Sequence, residues 1–251
     1  RINGVLRYTL GEGADRTSVT AVAYAARWDS TDQVPLRAVQ SGLIGRYGTG
    51  DPTDGGKTQR YSLSVDHQRA YDDGAFRFNA YAIQSELDLW SNFTYFLENP
   101  ADGDQFRQSE QRTVLGMAMS RSWDGQLAGR PMTNTLGVQM RHDRLSPVGL
   151  YSTVARRTTG VTQQSDVRQP SVGLYGENTV QWTPWLRSLA GLRLDHYDFD
   201  VSSSIAANSG DANDHIASPK LSFIFGPWAR TEYFVNYGYG FHSNDARGTT
   251  A

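Results

Sequence analysis

The chain has 251 residues, no cysteine and a formal net charge of −2. The lack of cysteine excludes disulfides and thiolate metal sites, and the near-neutral charge argues against a nucleic-acid partner, which calls for a clear basic excess. No run approaches the roughly 18 apolar residues of a membrane-spanning helix, but a membrane β-barrel stays open, because it turns only every second residue toward lipid.

With 25 glycines, 13 tyrosines, ten phenylalanines and six tryptophans, the composition favours β structure. Alternation with period two recurs along the chain. Residues 2–10 set Ile2, Leu6, Tyr8 and Leu10 against Asn3, Arg7 and Thr9. Residues 17–28 read as a strand whose register the pattern leaves open. Residues 59–71 oppose Tyr61, Leu63 and Val65 to Arg60, Ser62, Ser64 and Asp66. In residues 75–88 two apolar faces compete, which predicts a bulge near Asn79. Residues 111–123 set Leu115, Met117, Met119 and Trp123 against Gly116, Ala118, Ser120 and Ser122. The cleanest case, 135–143, opposes Leu136, Val138 and Met140 to Gly137, Gln139, Arg141 and Asp143. The pattern continues through 171–182 and 186–199, where Arg193 and Asp195 lie opposite Leu192 and Leu194. A final hairpin puts Leu221, Phe223, Phe225, Tyr233, Val235, Tyr237, Tyr239 and Phe241 on one face and Lys220, Ser222, Asn236, Gly238 and Gly240 on the other.

This makes about ten strands, most of them long enough to cross an apolar band of ~25 Å. Their connections alternate. Breaks at 11–15, 72–74, 124–131, 183–185 and 226–229 are short, whereas those at 29–58, 89–109, 145–168 and 200–215 are long and polar. In an up-and-down sheet every short turn then falls at one end and every long loop at the other, as in outer-membrane barrels. A soluble sandwich or propeller does not predict that asymmetry. Tyr71, Trp123, Trp182, Trp185 and Trp228 gather at the short-turn end, and Trp28, Tyr197, Tyr239 and Phe241 toward the long-loop end. Such rings suit interfacial girdles, although aromatics also close the ends of soluble β cores. On the membrane reading, the aromatic face of 221–241 meets lipid and the opposite face meets a wet interior.

The stretches AGLRLDHYDFDV (190–201), SPKLSFIFGPW (218–228), EYFVNYGYGFHSNDARG (232–248) and LDLWSNFTYFLENPADGDQFRQSEQR (87–112) resemble the barrel of TonB-dependent outer-membrane receptors. The resemblance implies an all-β, antiparallel up-and-down transmembrane barrel segment, part of a larger barrel of about 22 strands. It also implies the outer membrane of a Gram-negative bacterium as location, outer-membrane lipid and a small-molecule ligand such as a metal chelate as partners, and energised uptake of a scarce solute such as a ferric siderophore. The TonB complex would be reached through a plug domain that these residues do not contain. The chain is expected to be one portion of a receptor barrel rather than a complete transporter, without catalytic residues, cofactor or metal. A passive porin-like channel and a barrel hydrolase are the alternatives.

Several residues carry candidate chemistry. Arg46 and Tyr47, with Trp90, Asn92, Phe93, Tyr95 and Phe96, form unusually aromatic stretches in the expected outer loops. They are candidates to stack on a ligand while Arg46 meets an anionic group, or else to pack loop against loop. Arg141, Asp143, Glu177, Arg193, Asp195 and Lys220 are expected to face the lumen and to pair with one another or with a plug. The His-Ser-Asn-Asp run at 242–245 suggests a hydrolase. Neighbours on an extended strand point to opposite faces, so His242 and Ser243 would diverge and a turn is the expectation. Asp102 with Asp104, and Asp211 with Asp214, lack the spacing of a calcium loop. No two histidines sit at ligand spacing; His142 and His196 share the parity of the outward residues.

Overall fold

A computed structural model describes residues 1–30, 32–241 and 246–250. Ten strands follow one another in chain order: β1 (Ile2–Glu12), β2 (Asp15–Asp29), β3 (Gly55–Tyr71), β4 (Gly74–Ser91), β5 (Phe106–Leu127), β6 (Arg130–Val154), β7 (Arg157–Thr183), β8 (Leu186–Ser203), β9 (Gly210–Trp228) and β10 (Thr231–Gly238). They form one sheet in the order β1 to β10, and every neighbouring pair is antiparallel. Two short helices, α1 (Leu36–Gln40) and α2 (Ala246–Thr249), lie at the end where the long connections gather.

Turn chemistry sets the meander. Ala128 and Gly129, Ala155 and Arg156, and Ala229 and Arg230 each have positive φ at both positions. That is the type I′ geometry whose twist matches the flanking strands of a two-residue hairpin. The register then carries the alternating pattern sideways. Leu6 lies beside Ala21, Ala21 beside Leu63, Leu63 beside Ala82 and Ala82 beside Leu115. Farther along, Met119 adjoins Val138, Val138 adjoins Leu174 and Leu174 adjoins Leu194. On the last hairpin Tyr233 pairs with Phe225, Val235 with Phe223 and Tyr237 with Leu221. One face of the sheet thus carries an apolar band from strand to strand, its large side chains exposed, and toward the long connections the same face turns polar with Lys57, Asp88 and Arg107.

The other face carries the polar residues, and there side chains crowd. Ser18, Asp143 and Asp195 are buried. Arg193 of β8 reaches over β7 to donate from Nη1 to Gln139 Oε1 of β6 at 2.7 Å. Contact across an intervening strand marks this face as the concave one. It also holds the main buried apolar cluster, Leu145, Val148, Val167, Phe199 and Val201 with Ala246 of α2, at the long-connection end.

Four expectations are corrected. The bulge near Asn79 is absent: β4 keeps unbroken register with β3 and β5. Its second apolar face is satisfied on the concave side, where Tyr81 lies opposite Gly116 and Ile83 opposite the buried Val114. The long loop expected at 145–168 is instead a tall hairpin closed by Ala155 and Arg156. At about 3.3 Å per residue, the 25 residues of β6 and 27 of β7 far overrun the apolar band. Much of the break at 200–215 is likewise strand, leaving only 204–209 between β8 and β9.

The aromatic girdle expected at the long-loop end does not form as expected either. Trp28 and Tyr197 have concave parity. The Trp28 ring covers Gly56, and Tyr197 stacks with Phe199 at 6.1 Å and meets Phe241 edge-on at 5.8 Å. The apolar stripe therefore leaves the convex face before Phe241. At the short-turn end the aromatics do gather: Trp185 stacks with Trp228 at 6.1 Å, and Trp228 lies 6.0 Å from Tyr233. Trp182 keeps its polar handle satisfied by donating from Nε1 to Ser188 Oγ at 2.8 Å.

Candidate functional site

The concave face is a ladder of paired charges. Residues two apart on a strand share a face, so an Arg-x-Asp spacing lets one guanidinium grip one carboxylate. Arg193 donates from Nε to Asp195 Oδ2 at 2.7 Å and from Nη2 to Oδ1 at 2.6 Å. Arg141 holds Asp143 in the same fork, at 2.5 and 2.9 Å. Arg112 lies 4.0 Å from Asp143 and binds Glu110 at 2.9 Å. Lys220 pairs with Glu177 across two strand boundaries. All six residues expected to face the lumen thus lie on the concave face and pair among themselves, so their own charges cancel, while Arg7, Arg16 and Arg77 add positive charge nearby on the same face.

Glycines give this surface its shape. A Cβ on Gly116 would stand 2.2 Å from the Tyr81 ring, and one on Gly137 would stand 2.3 Å from the Tyr175 ring. Each tyrosine lies flat over a neighbouring strand, and only glycine leaves the room. Beside Tyr175, a hollow of about 560 Å³ is lined by Ser120, Gln139, Glu177, Arg193 and Lys220. Its hydroxyls, amide and ion pairs suit a hydrated polar solute.

The loop end is organised by residues that the sequence did not single out. Gln105, buried just before β5, donates from Nε2 to Thr53 Oγ1 at 2.7 Å and to Asp51 and Asp54 at 3.2 Å. Its Oε1 accepts from Thr153 Oγ1 at 3.0 Å and from the Arg156 backbone N–H at 2.9 Å. The tip of the β6–β7 hairpin is thereby clasped to the connections 30–54 and 92–105. Burial pushes the Asp54 carboxyl up to about 7, helped by the nearby carboxylates of Asp32 and Asp51 and opposed by the Gln105 hydrogen bond. Burial also acts upward on Asp51, but hydrogen bonds from Asn92 and Thr53 outweigh it and hold that carboxyl below its ordinary value. The Tyr95 hydroxyl is raised by burial and by the same three acids.

The expected ligand residues divide into two sets. Arg46, Tyr47, Phe93 and Phe96 are exposed, Tyr47 at 90 %. Trp90 and Asn92 are buried instead. Arg156 lies 5.2 Å and Lys57 5.9 Å from the Trp90 ring, while the Asn92 backbone N–H donates to Asp32 at 2.9 Å. Tyr95 has a φ of 60° and donates its hydroxyl to the Gln33 carbonyl at 2.8 Å. Loop-on-loop packing therefore uses three of these seven residues, Trp90, Asn92 and Tyr95. Asp104 accepts from the N–H groups of Leu97, Glu98 and Asn99, so it ties down its own turn. Among the described residues no group of three or more His, Asp or Glu side chains is placed to hold a metal ion. The expected turn at His242, Ser243, Asn244 and Asp245 lies outside the described residues.

A sequence model described as "TonB dependent receptor-like, beta-barrel" matches residues 6–251. The chain belongs to this family. Solved TonB-dependent receptor structures share the fold. The chain is similar to the ferric citrate transporter FecA in its unliganded form, with a TM-score of 0.81 and 11 % identity over 94 % of this chain and 35 % of that one. It is similar to the open form of the ferric-catecholate import receptor Fiu of E. coli K12, with a TM-score of 0.71 and 10 % identity over 94 % and 46 %. It is also similar to the ferric yersiniabactin uptake receptor FyuA of Yersinia pestis, with a TM-score of 0.60 and 14 % identity over 89 % and 34 %. The chain thus spans between a third and a half of these receptors. No curated protein matches it in sequence. For a TonB-dependent receptor barrel, the convex apolar face and the concave polar face take the places of lipid-facing and lumen-facing surfaces.

Proposed function

We propose that this chain is part of the barrel wall of an outer-membrane receptor that takes up a scarce solute, with a ferric chelate as the favoured class, in a process energised through TonB. The observation that carries this reading is the division of the sheet: apolar side chains in a band across the convex face, and polar residues with ion pairs on the concave one. An apolar surface of that extent on one side only has lipid as its natural solvent. The ferric cargo named for FecA, Fiu and FyuA supplies the solute class. Exposed Arg46, Tyr47, Phe93 and Phe96 would meet the chelate at the loop end, the arginine facing its negative charge. The lumen ladder of Arg141, Asp143, Glu177, Arg193, Asp195 and Lys220 would line its way through.

The test uses the full-length receptor in an iron-starved host with a defined set of ferric chelates. Growth rescue by one chelate, abolished when TonB is deleted and weakened by Arg46→Ala combined with Tyr47→Ala, supports the reading. Rescue that persists without TonB points to a passive channel and overturns energised uptake.

A further inference from the structure

The charge pairing of the concave face stops short of its first strands. Arg112, Arg141 and Arg193 are spent on carboxylates. Arg7, Arg16 and Arg77 are exposed, and among the described residues none of the three forms an ion pair. All three line one hollow of about 410 Å³, together with Gln68, Asn79 and Ser120. The one acid in its lining is Asp66, whose Oδ1 accepts from Asn79 Nδ2 at 2.8 Å. Three guanidinium groups therefore share this hollow with a single carboxylate.

The sheet register brings these groups together. Arg16 lies directly beside Gln68, Gln68 beside Arg77, and Arg77 beside Ser120. With neighbouring strands about 4.8 Å apart, the two arginines stand roughly 10 Å from each other at the backbone, one on either side of an amide. Arg7 pairs with Thr20, farther along β2, yet its side chain bends back toward Arg16: its Nη2 donates to Ser18 Oγ at 3.3 Å. Like charges gathered on one face of a sheet repel, and an anion between them removes that cost.

We propose that Arg7, Arg16 and Arg77 form an oxyanion subsite in the lumen wall, which takes a carboxylate or phosphate group of the solute. The proposal deepens the receptor reading and rests on it. A guanidinium fork matches such a group with two parallel N–H bonds, and bonds between charged partners are the strong ones. Gln68 and Ser120 add an amide and a hydroxyl to the same row. The hollow shares Arg77, Ser120 and Tyr175 with the hollow of about 560 Å³ beside it, so a polar body resting against Tyr175 has its anionic group within reach of the arginines. Arg16 and Arg77 each follow closely on a short turn, at the opposite end of the sheet from the connection that carries Arg46 and Tyr47. The subsite is thus a second station, reached after the loops. The paired ladder of β6 to β9 has no preference of sign, and these arginines make the wall selective for solutes that carry an acid.

The test uses the full-length receptor in detergent at low salt, with inorganic phosphate as the probe and its phosphorus NMR linewidth as the readout. The phosphate line should broaden with the unaltered receptor and sharpen again as sodium chloride is added. Arg16→Gln and Arg77→Gln should each weaken binding roughly tenfold, the share of one hydrogen bond to a charged group. Arg69→Gln, next to Gln68 in the chain but on the opposite face, should leave it unchanged. Phosphate binding needs neither TonB nor a ferric chelate, so a receptor that imports its chelate but does not broaden the line overturns the subsite and leaves the receptor reading standing. Broadening that survives Arg16→Gln combined with Arg77→Gln overturns the proposal, as does an equal loss with Arg69→Gln, which marks unspecific surface attraction. No broadening, together with a melting temperature lowered by the double change, means that a carboxylate of the protein itself meets the arginines, and this too overturns a solute subsite.

Discussion

Arg156 Nε donates to the Thr53 carbonyl at 2.6 Å across 103 residues of chain. The same side chain reaches the Asp54 carbonyl at 3.0 Å and Asp29 at 3.1 Å, and its backbone N–H caps Gln105. A two-residue turn between the two longest strands thus acts as the latch for two loops that come from elsewhere in the sheet.

Arg156→Ala should therefore loosen the loop end without unfolding the sheet. The loss takes the Arg156 donor from the half-buried Thr53 carbonyl, leaves the Asp54 carbonyl with the Ser30 N–H, and costs the clasp roughly 1–3 kcal/mol. Hydrogen exchange should quicken in 49–56 and 92–105 and stay unchanged in the middle of β5 to β8. Arg156→Lys should not restore protection, because one ammonium cannot serve the three directions of the guanidinium.

The tyrosine–glycine contacts make a second expectation. Gly116→Val places a Cβ inside the Tyr81 ring, and Gly137→Val does the same to Tyr175. Each should lower stability by roughly 1–3 kcal/mol, the usual cost of overpacking. Gly4→Val meets nothing within 4 Å and serves as the control. The temperature at which the folded band vanishes from unheated gels gives the readout.

The assignment of faces is open to direct attack by charge. Leu194→Arg on the convex face should cost about 2–4 kcal/mol if it sits near the bilayer midplane, and it should reduce assembly into membranes. Ser120→Arg on the concave face should assemble normally. Equal tolerance of the two changes would contradict a lipid-facing convex surface.

Asp54 predicts a pH dependence of the loop-end clasp. Its carboxyl is raised from an ordinary 3.8 to about 7, so the folded state holds the proton more tightly than the unfolded chain does. The stabilisation is complete below the ordinary value and is lost as pH rises toward and through about 7. Thermal release of the loop end should therefore move to lower temperature between pH 5 and pH 8. In Asp54→Asn, where no proton can leave, that slope should flatten.

The two faces of the sheet were legible because they are written at a spacing of two. Leu136, Val138 and Met140 against Gln139, Arg141 and Asp143 needs no knowledge of which strand lies beside which. The hairpin at 145–168 was not legible for the same reason. Register shifts between Leu145 and Val148, Leu150 and Tyr151, and Ser152 and Thr153 break the alternation there, and the polar composition reads as loop. At Asn79 the error ran the other way. Apolar residues on both faces suggested an irregularity, whereas Tyr81 simply had a glycine to lie on in the next strand.

The sequence by itself determined an up-and-down sheet with one apolar face and one charged face, since side-chain alternation and turn residues act within a few positions of each other. The Gln105 and Arg156 clasp, the inward turn of Tyr197 and Phe241, and the facing carboxyl groups of Asp32 and Asp54 were decided only by the tertiary structure. Those contacts join residues that are tens of positions apart, and their energy depends on which polar atoms lose water together. No local pattern in the chain records that.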